Sequence, residues 1–196
     1  MPQLDPRQAT RVVEAALEAT IALHQRVRER DLSAVVRAAE AVRQACASGG
    51  KVLAFGNGGS ASDAQHLALE LVGRFERQRA ALPVLALTAD PGVLTSVAND
   101  EAFERVFARQ IEGLGRPGDV AFAISTSGKS PNVVSALEAA RAGRLKTIAL
   151  TGRDGGAAGR AAEIHINVPD DSAARVQEVH RTLIHAICRI VESTLE

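Results

Sequence analysis

Over the first fifty positions the apolar residues recur at helical spacing. Behind Asp5-Pro6, which read as N-cap and first helical residue, Val12, Val13, Ala16, Leu17, Thr20, Ile21 and Leu23 predict a helix reaching about Arg30. Val35, Val36, Ala39, Val42 and Cys46 predict a second helix from Leu32 to about Ala47, stopped by Gly49-Gly50. The period then changes. Short apolar runs stand at Val52–Phe55, Pro83–Thr88, Val120–Ser125, Thr147–Thr151 and Ile164–Val168, nearly all followed by a turn and a helix-like stretch. Strands apolar on both faces and alternating with helices belong in a parallel sheet covered on both sides. A last helix is predicted from about Asp171 to Leu195. The expected architecture is α/β: a three-layer α/β/α sandwich on a five-stranded parallel sheet, forming one domain over residues 1–196. Residues 1–49 form a helical hairpin ahead of it. That hairpin, rich in Ala, Val and Leu, has little to pack on within one layer, so it is expected to serve an oligomer interface.

Composition narrows the class. With 196 residues the chain is long enough to bury a real core. Its 23 basic side chains balance 23 acidic ones, so no global positive field exists to hold nucleic acid or an anionic membrane. The apolar runs fall far short of the roughly 18–20 residues that span a bilayer. The start, Met1-Pro2-Gln3-Leu4-Asp5-Pro6, lacks the basic-then-apolar pattern of a secretory signal. Cys46 and Cys188 sit in helical patterns where a small hydrophobe fits. A cytoplasmic protein without disulfides is expected.

Two loops carry the chemistry. The first strand runs into Gly56-Asn57-Gly58-Gly59-Ser60 with a helix beginning near Ala61. Such a turn brings backbone N–H groups and a helix N-terminus to the carboxyl edge of the sheet, where an anion is held. The third strand leads into Ser125-Thr126-Ser127-Gly128-Lys129-Ser130-Pro131, whose four hydroxyls suit a phosphate. Gly128-Lys129-Ser130 is not a nucleotide P-loop: Pro131 pushes Ser130 out of the α region, and the first glycine of that motif is replaced by Ala123. Gly56 to Ala61 also fits a G-x-G-x-x-A dinucleotide pattern with Asp90 after the next strand, a weak signal alone.

Histidine and glutamate supply a third signal. His66 and Glu70, four apart, project from one face of the helix at 61–73. Gln177, His180 and His185 lie on the last helix. His, Glu and a second His suit zinc or a related divalent ion. Gln177 and His185 are two turns apart, about 12 Å of rise, so spacing alone does not select Gln177. His24, His165 and His180 read as structural, His180 within a polar network with Glu178 and Arg181.

The run Phe55 to Ser60 with His66 and Glu70, then Asn99-Asp100, Ser125-Thr126-Ser127-Gly128-x-Ser130, Leu150 to Gly156 and Arg175 to His180 together resemble the sugar isomerase (SIS) domain of bacterial phosphoheptose isomerases. The resemblance implies conversion of sedoheptulose 7-phosphate to D-glycero-D-manno-heptose 7-phosphate through an enediol, feeding heptose and lipopolysaccharide synthesis. It places substrate on Asn57, Gly58, Gly59, Ser60, Glu70, Asn99, Asp100 and Gln177, and the phosphate on Ser125, Thr126, Ser127 and Ser130. It makes His66, Glu70, Gln177 and His185 ligands of one zinc ion, with Glu70 and His185 the acid–base pair. It also implies a homotetramer with sites at subunit interfaces. Lys129 departs from the asparagine usual in the family, which bears on sugar preference. Two rival readings are a non-catalytic SIS scaffold that binds the replication initiator and a sugar-phosphate-sensing SIS module. The joint presence of His66, Glu70, Gln177 and His185 favours catalysis.

Overall fold

The computed structural model describes residues 5–193. Asp5 caps α1 (Pro6–Arg28) by accepting the Arg7 N–H, with Pro6 in the first turn, and α2 (Ser33–Ala47) ends ahead of Gly49, whose φ of +81° makes the stop. Five strands follow: β1 (Val52–Gly56), β2 (Val84–Ala86), β3 (Val120–Ser125), β4 (Lys146–Gly152) and β5 (Ile164–Val168). They form one sheet in the order β2-β1-β3-β4-β5 with every neighbouring pair parallel. Between them come α3 (Gly59–Val72), α4 (Pro91–Asp100), a turn of 3-10 helix at Phe103–Arg105, α5 (Ala108–Leu114), α6 (Pro131–Ala142) and α7 (Gly156–Ala161). The chain closes with α8 (Ala173–Ser193), reaching the last described residue; Leu195, the expected helix end, lies outside the described residues.

Alternation along the strands builds two cores. Val52, Ala54, Val120, Phe122 and Ile148 face the layer of α2, α3 and α8, whereas Leu53, Phe55, Ala121, Ala123 and Ala149 face α5, α6 and α7. Successive residues pointing to opposite, equally covered faces explain why these runs carry no polar alternation.

Four expectations change in detail. The second strand keeps only Val84–Ala86 of the expected 83–88, since it is an edge strand opposite three residues of β1. The helix expected at 61–73 begins at Gly59, because Gly58 turns the chain at φ +56° one residue ahead of it. Only α1 has little to pack on. It rests on α8 and buries Leu23 and Val27, whereas α2 packs on α8 and β5 and buries six residues. Asp90, the acidic residue of the dinucleotide pattern, instead caps α4, accepting the Val93 N–H at 3.0 Å. No described helix is long and apolar enough to cross a membrane.

Candidate active site

In a parallel sheet of this order the crevice for a ligand opens at the carboxyl ends of β1 and β3, where successive connections leave to opposite faces. Both chemical loops emerge there. The loop after β1 delivers Asn57, Gly58 and Gly59 to the start of α3, with Gly58 and Gly59 exposed and Ser60 buried in the first turn. No side chain caps α3; the Ser60 N–H donates to the Asn57 carbonyl and those of Ala61 and Ser62 to the Gly58 carbonyl, so the helix turns its dipole, rather than a full set of free amides, toward the crevice.

The loop after β3 is self-braced. Buried Ser125 accepts the Gly128 N–H at 3.1 Å, and Ser127 Oγ accepts the Lys129 N–H at 3.2 Å. Their hydroxyl hydrogens remain free to point at an anion. The Thr126 and Ser130 hydroxyls make no hydrogen bond within the described chain. Ser130 is extended (φ −66°, ψ 118°) at the N-cap of α6 ahead of Pro131, outside the helical conformation a P-loop serine takes, and its hydroxyl makes no capping bond. Lys129 is exposed and shares a surface depression with Arg153, Asp154 and Asp170.

Sequence reading missed the residue that ties the loops together. Asn132, 2% exposed, donates through Nδ2 to Asn57 Oδ1 at 2.9 Å, and Asn57 Nδ2 donates to Asn132 Oδ1 at 2.8 Å. The Asn57 amide is thus pointed by a reciprocal pair across the crevice. Nothing in local pattern marks Asn132, which reads as an ordinary first-turn helix residue.

A third group lies between α3 and α8. His66 Nε2 stands 2.8 Å from His185 Nε2 and 3.1 Å from Glu70 Oε1. One ligand atom from each of the three falls within 4.8 Å of the others. Two imidazole nitrogens and a carboxylate oxygen converging so closely are a donor set that a divalent metal ion could take up. Burial lowers the His66 pKa, the nearby Arg181 charge lowers it further, and Glu70 opposes both. A neutral imidazole is the form that binds a metal. Behind the triad, burial pushes the Cys188 thiol up to about 12, with Glu70 and Glu192 adding to the effect, so it stays protonated and outside the ligand set.

The remaining predicted residues are not gathered into this group within one chain. Gln177 lies against Gly59 in a depression shared with Asp63 and Arg181, and no contact joins it to the triad. Asn99 and Asp100 end α4 in solvent, Asn99 Nδ2 donating to Asp100 Oδ1 at 2.8 Å. Arg181 does not join His180, as had been expected: its guanidinium holds buried Asp63 Oδ1 through two bonds, at 3.0 and 2.6 Å. His180 donates from Nε2 to the Thr151 carbonyl at 3.0 Å and leaves Nδ1 unpartnered. Asp63 precedes His66 by one turn, the one signal by which its place beside the site could have been read.

This fold and this crevice have close relatives. A SIS-domain family model matches residues 15–152. The phosphoheptose isomerase of Roseiflexus sp. is 48% identical over 186 residues, covering 95% of this chain and 94% of that protein. Solved structures of phosphoheptose isomerases from Neisseria gonorrhoeae (42% identity, TM-score 0.90, covering 95% of this chain and 100% of that one) and Francisella tularensis (36%, 0.91, covering 95% and 99%) share the fold. The chain belongs to the SIS-domain family and, within it, to the phosphoheptose isomerases, enzymes that interconvert an aldose and a ketose phosphate.

Proposed function

We propose that this chain converts sedoheptulose 7-phosphate to D-glycero-D-manno-heptose 7-phosphate in the cytoplasm, with His66, Glu70, His185 and Gln177 holding one zinc ion. The observation that carries the reading is the convergence of His66, Glu70 and His185 in a molecule whose strand-end loops present unpaired hydroxyls and helix N-termini. Thr126, Ser130 and the free hydroxyl hydrogens of Ser125 and Ser127 bind the phosphate by neutral hydrogen bonds, with the α3 and α6 N-termini adding their dipoles. Anchored far from the reacting carbons, the phosphate supplies binding energy that orients the sugar. A divalent ion held by the His66, Glu70 and His185 group would polarise the sugar carbonyl and stabilise the charge that develops on its oxygen.

Glu70 takes the proton from the hydroxyl-bearing carbon next to the carbonyl and returns it to the former carbonyl carbon. His185 moves the proton of the neighbouring hydroxyl to the old carbonyl oxygen, so one oxygen becomes the new carbonyl as the other becomes a hydroxyl. Asn57 is preset for a sugar hydroxyl by Asn132. Asn99 and Asp100, exposed in one chain, fit a site completed at a subunit interface. The homotetramer is supported by the exposed apolar positions of α1.

Turnover of sedoheptulose 7-phosphate is measured on the protein as isolated, after chelation, and after zinc is restored. Loss on chelation and recovery with zinc is the expected result. A folded protein inactive in all three states would overturn the reading in favour of an initiator-binding scaffold or a sensor.

A further inference from the structure

Two turns beyond His185 on α8, Glu192 is buried to 2% exposure and fully engaged. Its Oε1 accepts the Phe75 N–H at 2.8 Å, and Oε2 accepts those of Glu76 and Arg77 at 2.8 and 3.0 Å. The Arg79 Nε–H completes the set at 3.0 Å, and both side chains of this ion pair are almost entirely withdrawn from water. The same guanidinium donates to the carbonyls of Glu70 at 2.7 Å and Leu71 at 2.8 Å, so it also caps the end of α3. One ion pair therefore fixes the helix end that carries Glu70 and the segment 73–79 that follows it.

That segment has one side chain with a use for such support. The Phe75 ring lies against the His185 imidazole, centroids 5.2 Å apart and planes inclined by 31°, while His66 flanks His185 with its centroid 5.0 Å away. Phe75 is half-buried although the residues on either side of it are exposed. A buried ion pair is no more stabilising than well-packed apolar residues of the same volume. Stability is therefore a poor account of four hydrogen bonds converging on a carboxylate to hold a surface turn. Holding an aromatic wall at a fixed place beside a working imidazole is a better one.

We propose that Phe75, pinned by the Glu192–Arg79 ion pair, is a positioning residue that fixes the His185 imidazole and shields it from water. The proposal rests on the reading of His185 as a site residue given above. Glu192→Gln keeps the shape but replaces one acceptor oxygen with an NH₂ group facing N–H donors, so it frees the segment from a distance. Phe75→Ala removes the wall with less risk to the core, and Phe75→Tyr restores the ring.

Three readouts are taken on variants with wild-type circular dichroism: the rate of His185 modification by diethyl pyrocarbonate without metal, the zinc dissociation constant by chelator competition, and turnover with zinc saturating. Expected are faster His185 modification in Glu192→Gln and Phe75→Ala, zinc affinity or turnover lower by roughly 10–100-fold, and recovery in Phe75→Tyr. A folded Phe75→Ala protein with unchanged His185 modification overturns the proposal. So does faster modification with zinc binding and turnover both intact, which leaves Phe75 a cover and nothing more. A wild-type protein that holds no zinc and turns nothing over, yet shows the modification contrast, removes the zinc-isomerase reading while Phe75 keeps its place against His185.

Discussion

Glu70 and His180 show how two ionisable side chains of one layer take opposite parts. Glu70 faces His66 at 3.1 Å, partly open to solvent, where its carboxylate can meet a ligand. Glu70→Gln keeps size and packing but removes the carboxylate proposed as the base. Turnover is expected to fall by about 10²-fold or more while the oligomer's mass by light scattering stays unchanged; a fully active Glu70→Gln enzyme removes this carboxylate from the mechanism. His180, by contrast, is wholly buried. Burial lowers its pKa, and the Thr151 carbonyl and the Asp63 charge only partly offset this. The folded state thus keeps His180 neutral at pH values where the unfolded chain, titrating near the ordinary 6.5, takes up a proton. Stability from this group is complete above about pH 6.5 and is lost as pH falls through the lower folded value, at a slope of at most about 1.4 kcal/mol per pH unit. Urea midpoints measured from pH 8 to 5 should fall less steeply in His180→Asn than in wild type. Equal slopes would mean that His180 titrates alike in both states.

Elements explain what could be read without coordinates. The opening helices were legible from their 3.6-residue period, and the five strands from short apolar runs, the mark of strands buried on both faces. The two loops were legible because glycine, serine and threonine cluster directly behind β1 and β3, where those strands give way to helices. The Asn57–Asn132 pair, the Asp63–Arg181 pair and the Phe75 wall were not, since each joins residues 75 to 118 positions apart with no local signature. Gly128 sits between the legible and the illegible. It stands at φ +63°, and a Cβ there would fall on the Gly155 backbone, while its carbonyl accepts the Ala158 N–H at 2.9 Å. The β3 loop is thereby locked to the turn after β4. Gly128→Ala costs roughly 1–2 kcal/mol for the left-handed backbone alone, and more as the two loops part. A fall in Tm of about 2–4 °C per kcal/mol is expected, with KM for sugar phosphate raised more than kcat is lowered. A Gly128→Ala enzyme with wild-type Tm and KM would mean that the loops tolerate separation.

At the scale of the whole molecule, α1 is the element that one chain leaves unfinished. It is 23 residues long, yet only Leu23 and Val27 are buried. Thr20 and His24 hydrogen-bond to Glu178 and Thr182 and so fasten one side of it to α8. On the other sides Val12, Val13, Leu17 and Ile21 stand 66, 59, 59 and 56% exposed, with Val13, Leu17 and Ile21 four residues apart in one stripe. Fully burying side chains of this kind is worth about 1.5–3 kcal/mol each, and symmetry multiplies the gain in an oligomer. Glutamates at positions 17 and 21 would set charges into any such interface while leaving the chain's own core untouched, since neither side chain packs within it. If the chain assembles as the proposed homotetramer, the double substitution Leu17→Glu, Ile21→Glu is expected to shift the mass in solution from four chains of 20.6 kDa to a smaller species with unchanged helix content. Turnover should fall with it, because Asn99 and Asp100 meet none of the other candidate residues within one chain. A tetramer that survives both glutamates would move the interface elsewhere. A dissociated chain that keeps full turnover would show that the crevice of a single subunit is sufficient, and that Asn99 and Asp100 take no part in it.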